Sequence, residues 1–315
     1  MSLSTPVGFV IFNRPDLTEK VFEAIAQAKP KQLFVIADGP RFPEENEKCK
    51  QARAVIKKID WDCQLYTNFS DVNLGCGKRV SSGFSWVFSQ VEEAIFLEDD
   101  TLPTLSFFSF CEEMLQHYRY DERIMHINGE NPANVDRTND SYYFSKYMHV
   151  WGWATWRRAW QYYDYHIKSW AKFKKARLIT KVCDDPYEQI YWESTFDRVY
   201  QNPQLVNTWD YQWIYACWSQ GGLAIEPNKN LVTNLGYNRP DSTHTVNNSP
   251  RANLHTNDIW NITHPTLVVK NEQADLHTFD YVFGGKELRN KNKLLLKISE
   301  RLSLLKRNFT FQFGI

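Results

Sequence analysis

The sequence predicts an α/β fold, a three-layer sandwich with a mostly parallel central sheet between two layers of helix. Three observations predict it. Compact apolar runs rich in β-formers recur through the first 130 residues, each followed by a helical pattern. Those runs are apolar throughout rather than alternating, as strands covered on both faces are. Polar residues stand just past their ends, where an open parallel sheet offers its ligand crevice.

The elements follow in order. Val7–Phe12 is the first apolar run, closed by Asn13-Arg14-Pro15-Asp16 and a helical pattern. Leu33–Ala37 is the second, broken at Asp38-Gly39-Pro40 and followed by a charged helical stretch. Gln64–Thr67 reads as a third strand and Val80–Val91 as a helix. Ala94–Leu97 is a fourth strand ending in Glu98-Asp99-Asp100; Phe107–Tyr118 then has helical spacing and Ile124–Ile127 is a short strand. Strands separated by helices imply a parallel sheet. The second half is less regular. It holds an aromatic segment, Val150 to Trp156, helical patterns near 187–201 and 210–219, a short strand at Leu223–Glu226, and a loop-rich stretch from about 236 to 285.

The expected organisation is one domain over residues 1–285, with a nucleotide-binding half (1–130) and an acceptor or catalytic half (131–285). Residues 286–315 differ: eight basic residues stand against two acids, and Leu294, Leu295, Ile298, Leu302 and Leu305 fall at helical spacing. Such a basic amphipathic helix either lies on an anionic membrane surface or docks on protein, and composition does not separate the two.

Composition excludes several classes. Lys plus Arg and Asp plus Glu both number 37, so no basic excess points to nucleic acid. The six cysteines form no C-x-x-C pair and no zinc-finger spacing. The N-terminal segment lacks a basic stretch followed by a long apolar one, and no run reaches the length of about 18 apolar residues that spans a bilayer. The expected location is cytoplasmic, with peripheral contact at the inner face of the membrane as the use a membrane-binding helix would have. A P-loop, a G-x-G-x-x-G after the first strand, a G-x-S-x-G elbow and H-E-x-x-H are all absent.

The sharpest local signal is Glu98-Asp99-Asp100. Three consecutive carboxylates at a strand end repel one another unless a cation offsets them. Mg²⁺ and Mn²⁺ choose oxygen ligands and are held by one or two carboxylates plus substrate phosphates. The bland alternative is an acidic helix N-terminus, disfavoured by the strand just before it. Asn73-Leu74-Gly75-Cys76-Gly77-Lys78-Arg79 is a glycine-bearing loop opening a helix, with two cations for a diphosphate. For Asp38-Gly39-Pro40 alone a turn is the preferred reading.

Taken in order, these segments resemble bacterial glycosyltransferases of the GT-A fold, a Rossmann-like sandwich, particularly those related to the N-acetylglucosaminyltransferase I family. The resemblance runs from about residue 5 to residue 245, through Ile11-Phe12-Asn13-Arg14, Ile36-Ala37-Asp38-Gly39, Asn73-Leu74-Gly75 with Lys78 and Trp86, Glu98-Asp99-Asp100, Trp209-Asp210-Tyr211-Gln212-Trp213, and Ile225-Glu226-Pro227 through Asn234-Leu235-Gly236. It implies that Asp38 contacts a uracil ring, that Asp100 binds the metal, and that Glu98 and Asp99 lie near ribose and sugar. Arg14, with Asp38, would serve base and ribose recognition, and Asn13 is a further donor-binding candidate beside them. It also implies a catalytic base in the Trp209–Trp213 segment. Tyr211-Gln212 stands where a second acid is expected, so Asp210 is the acid available there.

The implied reaction is transfer of a sugar from a nucleotide diphosphate-sugar, UDP by the family, to a hydroxyl of a glycan or glycolipid acceptor, with inversion. Asp210 would act as general base; Glu226, Glu130 and Asp241 are its rivals, and a helix cap is the structural alternative. Mn²⁺ or Mg²⁺ on Asp100 would offset charge on the departing diphosphate. Lys78, Arg79 and His244 are its candidate partners, and His244 can also complete the metal shell. Trp153 is expected to wall the sugar, against a core-packing alternative. Three other readings fit parts of the pattern: a carbohydrate-binding or nucleotide-sugar-binding protein without activity, a sugar-phosphate nucleotidyltransferase, and a retaining transferase, which uses the same fold and metal.

Overall fold

The computed structural model describes residues 2–133, 136–242, 251–252 and 254–291. The first half runs β1 (Val7–Ile11), α1 (Pro15–Ala28), β2 (Gln32–Ala37), α2 (Asn46–Ala54), β3 (Gln64–Phe69), α3 (Cys76–Phe88), β4 (Glu93–Glu98), β5 (Thr101–Pro103), α4 (Leu105–His117) and β6 (Ile124–Asn128). The second half continues β7 (Tyr142–Ser145), β8 (Trp153–Trp156), α5 (Arg157–Trp160), α6 (Trp170–Lys175), α7 (Pro186–Gln201), α8 (Pro203–Val206), α9 (Asp210–Ser219), β9 (Leu223–Pro227), β10 (Val232–Asn234) and α10 (Glu272–Val282).

Eight strands form one sheet in the order β3-β2-β1-β4-β8-β6-β9-β7, and β10 pairs with β5 in a small antiparallel sheet. The β3-β2-β1-β4 part is wholly parallel, β6 and β9 are parallel, and β8 and β7 run against their neighbours. The fold is therefore α/β with a mostly parallel central sheet, as the sequence predicts. Alternation along the strands feeds two cores. Val7, Phe9, Ile11, Leu33, Val35, Ile95 and Leu97 face α1 and α4, while Val10, Phe34, Ile36, Ala94 and Phe96 face α3, α7 and α9. β1, β2 and β4 bury both faces, which is why their sequences show no polar alternation, whereas the edge strand β3 stays largely exposed.

Local chemistry sets the helix bounds. Pro15 opens α1 with its φ preset, and the chain leaves it through Lys29 in the left-handed region, whose N–H reaches the Ile25 carbonyl. Asp185 caps α7 by accepting from the Tyr187 N–H. The chain passes from β1 outward to β2 and β3, then returns to place β4 on the other side of β1. The gap between the ends of β1 and β4 is thus a topological switch point. Four departures from expectation concern short strands. β5, β7, β8 and β10 are only three or four residues long, and β8 carries two tryptophans that read equally well as loop aromatics.

Among the described residues no helix is long and apolar enough to cross a membrane. Of the expected basic C-terminal helix only 286–291 is described. There Leu288 packs on the second core and Arg289 pairs with Asp185 and Asp280. The apolar positions from Leu294 onward lie outside the described residues.

Candidate functional site at the strand switch point

A cavity of about 1060 Å³ opens at the carboxyl ends of β1, β2 and β4. Asn13 and Arg14 enter it from β1, Asp38 from β2, Asn73 and Gly75 from the loop after β3, and Glu98, Asp99 and Asp100 from β4. Asp210 from the first turn of α9 and Trp151 ahead of β8 line it as well.

Arg14 holds the acidic cluster together. Its Nη1 donates to Asp100 Oδ2 at 3.0 Å and lies 3.8 Å from Asp99 Oδ1, while Nη2 donates to the Asp241 carbonyl at 3.0 Å. Asp99 is buried and accepts the Phe12 N–H at 3.2 Å. One arginine does not offset three carboxylates. Burial, then repulsion from Asp100 and Asp99, pushes Glu98 up to about 8, with Asp210 adding to the rise and the Trp209 indole opposing it. Burial and Asp100 push Asp99 up to about 7 against the pull of Arg14 and the Phe12 N–H. The segment after β10 closes over the triplet: the Leu235 N–H donates to the Asp100 carbonyl at 2.7 Å, and a Cβ on Gly236 would stand 2.6 Å from Asp100 Oδ2.

Asn13 reaches the cavity but its amide donates to Glu45 at 2.8 Å, and Glu45 in turn holds Arg41. Asp210 Oδ1 accepts from the Tyr211 N–H at 2.9 Å and from the Thr208 hydroxyl. No partner engages its Oδ2 among the described residues, so one carboxylate oxygen is left to meet a ligand.

Four expected roles do not match the structure. Arg79 is buried. Its Nε donates to the Ala37 carbonyl at 3.1 Å and its Nη2 to both oxygens of Asn68, so it braces the ends of β2 and β3 instead of offering a free cation to a diphosphate. Lys78 is exposed and lies off the cavity, because α3 turns Val80, Phe84 and Val87 inward and carries position 78 outward. Asp38 borders the cavity, but its two oxygens accept the Gly39, Leu74 and Gly75 N–H groups at 2.9–3.2 Å; its accepting capacity serves the loop after β3. Burial raises its pKa, with those three N–H groups pulling the other way. Trp153 is a core residue, stacked on His126 and Trp209 at 5.0 and 5.3 Å between ring centres. Residues two apart on one strand share a face. Gly152 at φ +60° breaks that continuity, sending Trp153 to the core and Trp151 to the cavity. His244 lies outside the described residues.

Sequence reading missed other wall residues. Tyr237 packs edge-on to Trp151, and Arg251 lies 4.0 Å from the Trp151 ring while donating twice to Glu130. Arg198 of α7 and His149 also border the cavity. Only the phase of α7 hinted at Arg198; the others come from irregular chain that carries no periodic signal.

No family model matches the sequence, and no curated protein matches it. Among solved structures the chain is similar to UDP-glucose pyrophosphorylase complexed with UDP-glucose, at 11% identity over 50% of this chain and 78% of that one, with a TM-score of 0.32. A likeness of that size carries no argument about ligand or activity. What fold and site define is an α/β protein with an acid- and arginine-lined cavity at its strand switch point.

Proposed function

We propose that the chain is a metal-dependent, inverting glycosyltransferase that moves a sugar from a UDP-sugar to a glycan hydroxyl. The observation that carries this reading is the meeting of Arg14 with Asp99 and Asp100 across the β1–β4 switch point, inside a cavity that also holds Asp210. Small-molecule sites span roughly 300–1,000 Å³. A cavity of about 1060 Å³ therefore has room for a nucleotide-sugar and part of an acceptor.

The residues present fit a hard divalent cation bound together with its substrate. All the donors at the triplet are carboxylate oxygens, and burial together with mutual repulsion raises Glu98 and Asp99, a cost that a bound cation would offset. Among the described residues no group of three His, Cys, Asp or Glu side chains is placed to hold a metal alone. Asp100, with Asp99, would hold Mn²⁺ or Mg²⁺, the diphosphate completing its shell; the ion would supply Lewis-acid stabilisation of the leaving diphosphate.

The chain's own part is positioning and proton transfer. Asp210 Oδ2 takes the proton of the attacking hydroxyl. Arg14, which pairs with Asp100 here, would meet diphosphate oxygens with its guanidinium. Arg198 adds a second cation on the facing wall. The test is incubation with UDP-sugars, Mn²⁺ and methyl glycosides, followed by NMR of the product. A product of inverted anomeric configuration supports the reading. Pyrophosphate release from UTP and a sugar 1-phosphate, without transfer, supports a nucleotidyltransferase instead.

A further inference from the structure

The cavity wall ahead of β8 contains a second built site. His149 sits in irregular chain, yet its backbone is pinned on both sides: its N–H donates to Asn128 Oδ1 at 2.7 Å, and its carbonyl meets His126 Nε2 at 2.7 Å. Trp213 Nε1 donates to His126 Nδ1 at 3.0 Å, so His126 carries its proton on Nε2 and donates to that carbonyl. The ring of His149 is 5% exposed and borders the cavity. Its Nε2 is buried without a hydrogen bond and stands 3.7 Å from Glu226 Oε2. Glu226 lies behind it on β9, held by the Tyr143 hydroxyl at 2.9 Å and the Asn128 amide at 3.3 Å. Nothing in the described protein bonds the other ring nitrogen, Nδ1.

We propose that His149, backed by Glu226, is a carbohydrate contact of this cavity, and that the group it takes is an uncharged hydroxyl of a neutral glycan acceptor. The word acceptor rests on the glycosyltransferase reading; the contact itself does not. A buried imidazole fixed by two backbone bonds, with an unbonded edge at a cavity, is organised to meet a ligand rather than to complete the core. Burial keeps the ring neutral and pushes Glu226 up to about 8. With Glu226 protonated on the side of His149 Nε2, 3.7 Å away, the ring's own proton sits on Nδ1 as a donor. A neutral His149 beside a protonated Glu226 offers a carboxylated sugar no positive charge, and Arg251 is already engaged by Glu130. Glu226 acts here as a positioning residue.

The probes are methyl glycosides of glucose, galactose and N-acetylglucosamine, with methyl glucuronide as the anionic comparison. Saturation-transfer NMR is run with UDP and Mn²⁺, on wild type, His149→Ala and His149→Gln. At least one neutral glycoside binds and methyl glucuronide does not. His149→Ala weakens binding about fivefold, the scale of one lost hydrogen bond, and His149→Gln restores part of it. UDP affinity is unchanged. Equal binding in His149→Ala, preference for the glucuronide, or no neutral glycoside bound overturns the proposal. Glycoside binding that behaves as stated without UDP binding removes the transferase reading and leaves this contact standing. A second readout follows ¹⁵N imidazole shifts: the Nδ1–H tautomer of His149 persists in Glu226→Gln, whose amide can face Nε2, and is lost in Glu226→Leu. An Nε2–H tautomer in wild type contradicts the role given to Glu226.

Discussion

Arg14 and Asp100, which follow β1 and β4 in the chain, meet at 3.0 Å across the gap where the strand order reverses. The same arginine reaches Asp99 and the Asp241 carbonyl, so one side chain links the two strand ends to the segment after β10.

Burial of the Glu98 and Asp99 carboxyls, with repulsion within the triplet, gives the protein a pH-dependent stability. Glu98 and Asp99 titrate near 8 and 7 when folded, against ordinary values of 4.5 and 3.8. The folded state therefore binds more protons than the unfolded state between those limits, and stability falls as pH rises through the window from about 4 to 8. Glu226 adds in the same direction. In metal-free protein, melting temperature declines from pH 6 to pH 8.5. Glu98→Gln flattens that decline, as read by scanning fluorimetry across the pH series; an unchanged slope in the variant contradicts the assignment.

Asp210→Asn tests the base. The amide keeps an oxygen to accept the Tyr211 N–H, so folding is preserved while the proton acceptor is lost. Turnover of the UDP-sugar falls roughly 10²–10⁴-fold, with UDP affinity unchanged in calorimetry. A loss confined to affinity would move the base to another carboxylate.

Gly236→Ala separates close packing from flexibility. Its new Cβ would press on Asp100 Oδ2 from 2.6 Å and on Asn234 Oδ1 from 3.0 Å. Divalent-dependent nucleotide affinity drops roughly tenfold or more as the carboxylate is displaced, since small misplacements of reacting groups carry large penalties. Melting temperature changes little.

The two tryptophans flanking Gly152 part company on mutation. Trp153→Ala removes a fully buried side chain between β4 and α9 and costs about 3–5 kcal/mol of stability in urea unfolding. Trp151→Ala costs much less stability and shows its effect in ligand binding.

The sequence made β1, β2 and β4 legible because each buries both faces, and they fall within a residue or two of the apolar runs. The carboxylate triplet was legible for the same reason: it interrupts such a run. Partnerships were not. That Asp38 serves the loop after β3 and Arg79 the strand ends depends on contacts between segments far apart in the chain. The outward turn of Lys78 was readable from the Val80, Phe84 and Val87 phase, whereas the His149–Glu226 pair joins irregular chain to β9 and leaves no pattern in either.

The most direct test of the central claim is calorimetric binding of UDP and UDP-sugars with and without Mn²⁺, on wild type and Asp100→Ala. The expected result is binding of a UDP-sugar that depends on Mn²⁺ and is lost in the variant. Binding indifferent to both Mn²⁺ and Asp100 would contradict it and leave a cavity whose acids serve another ligand.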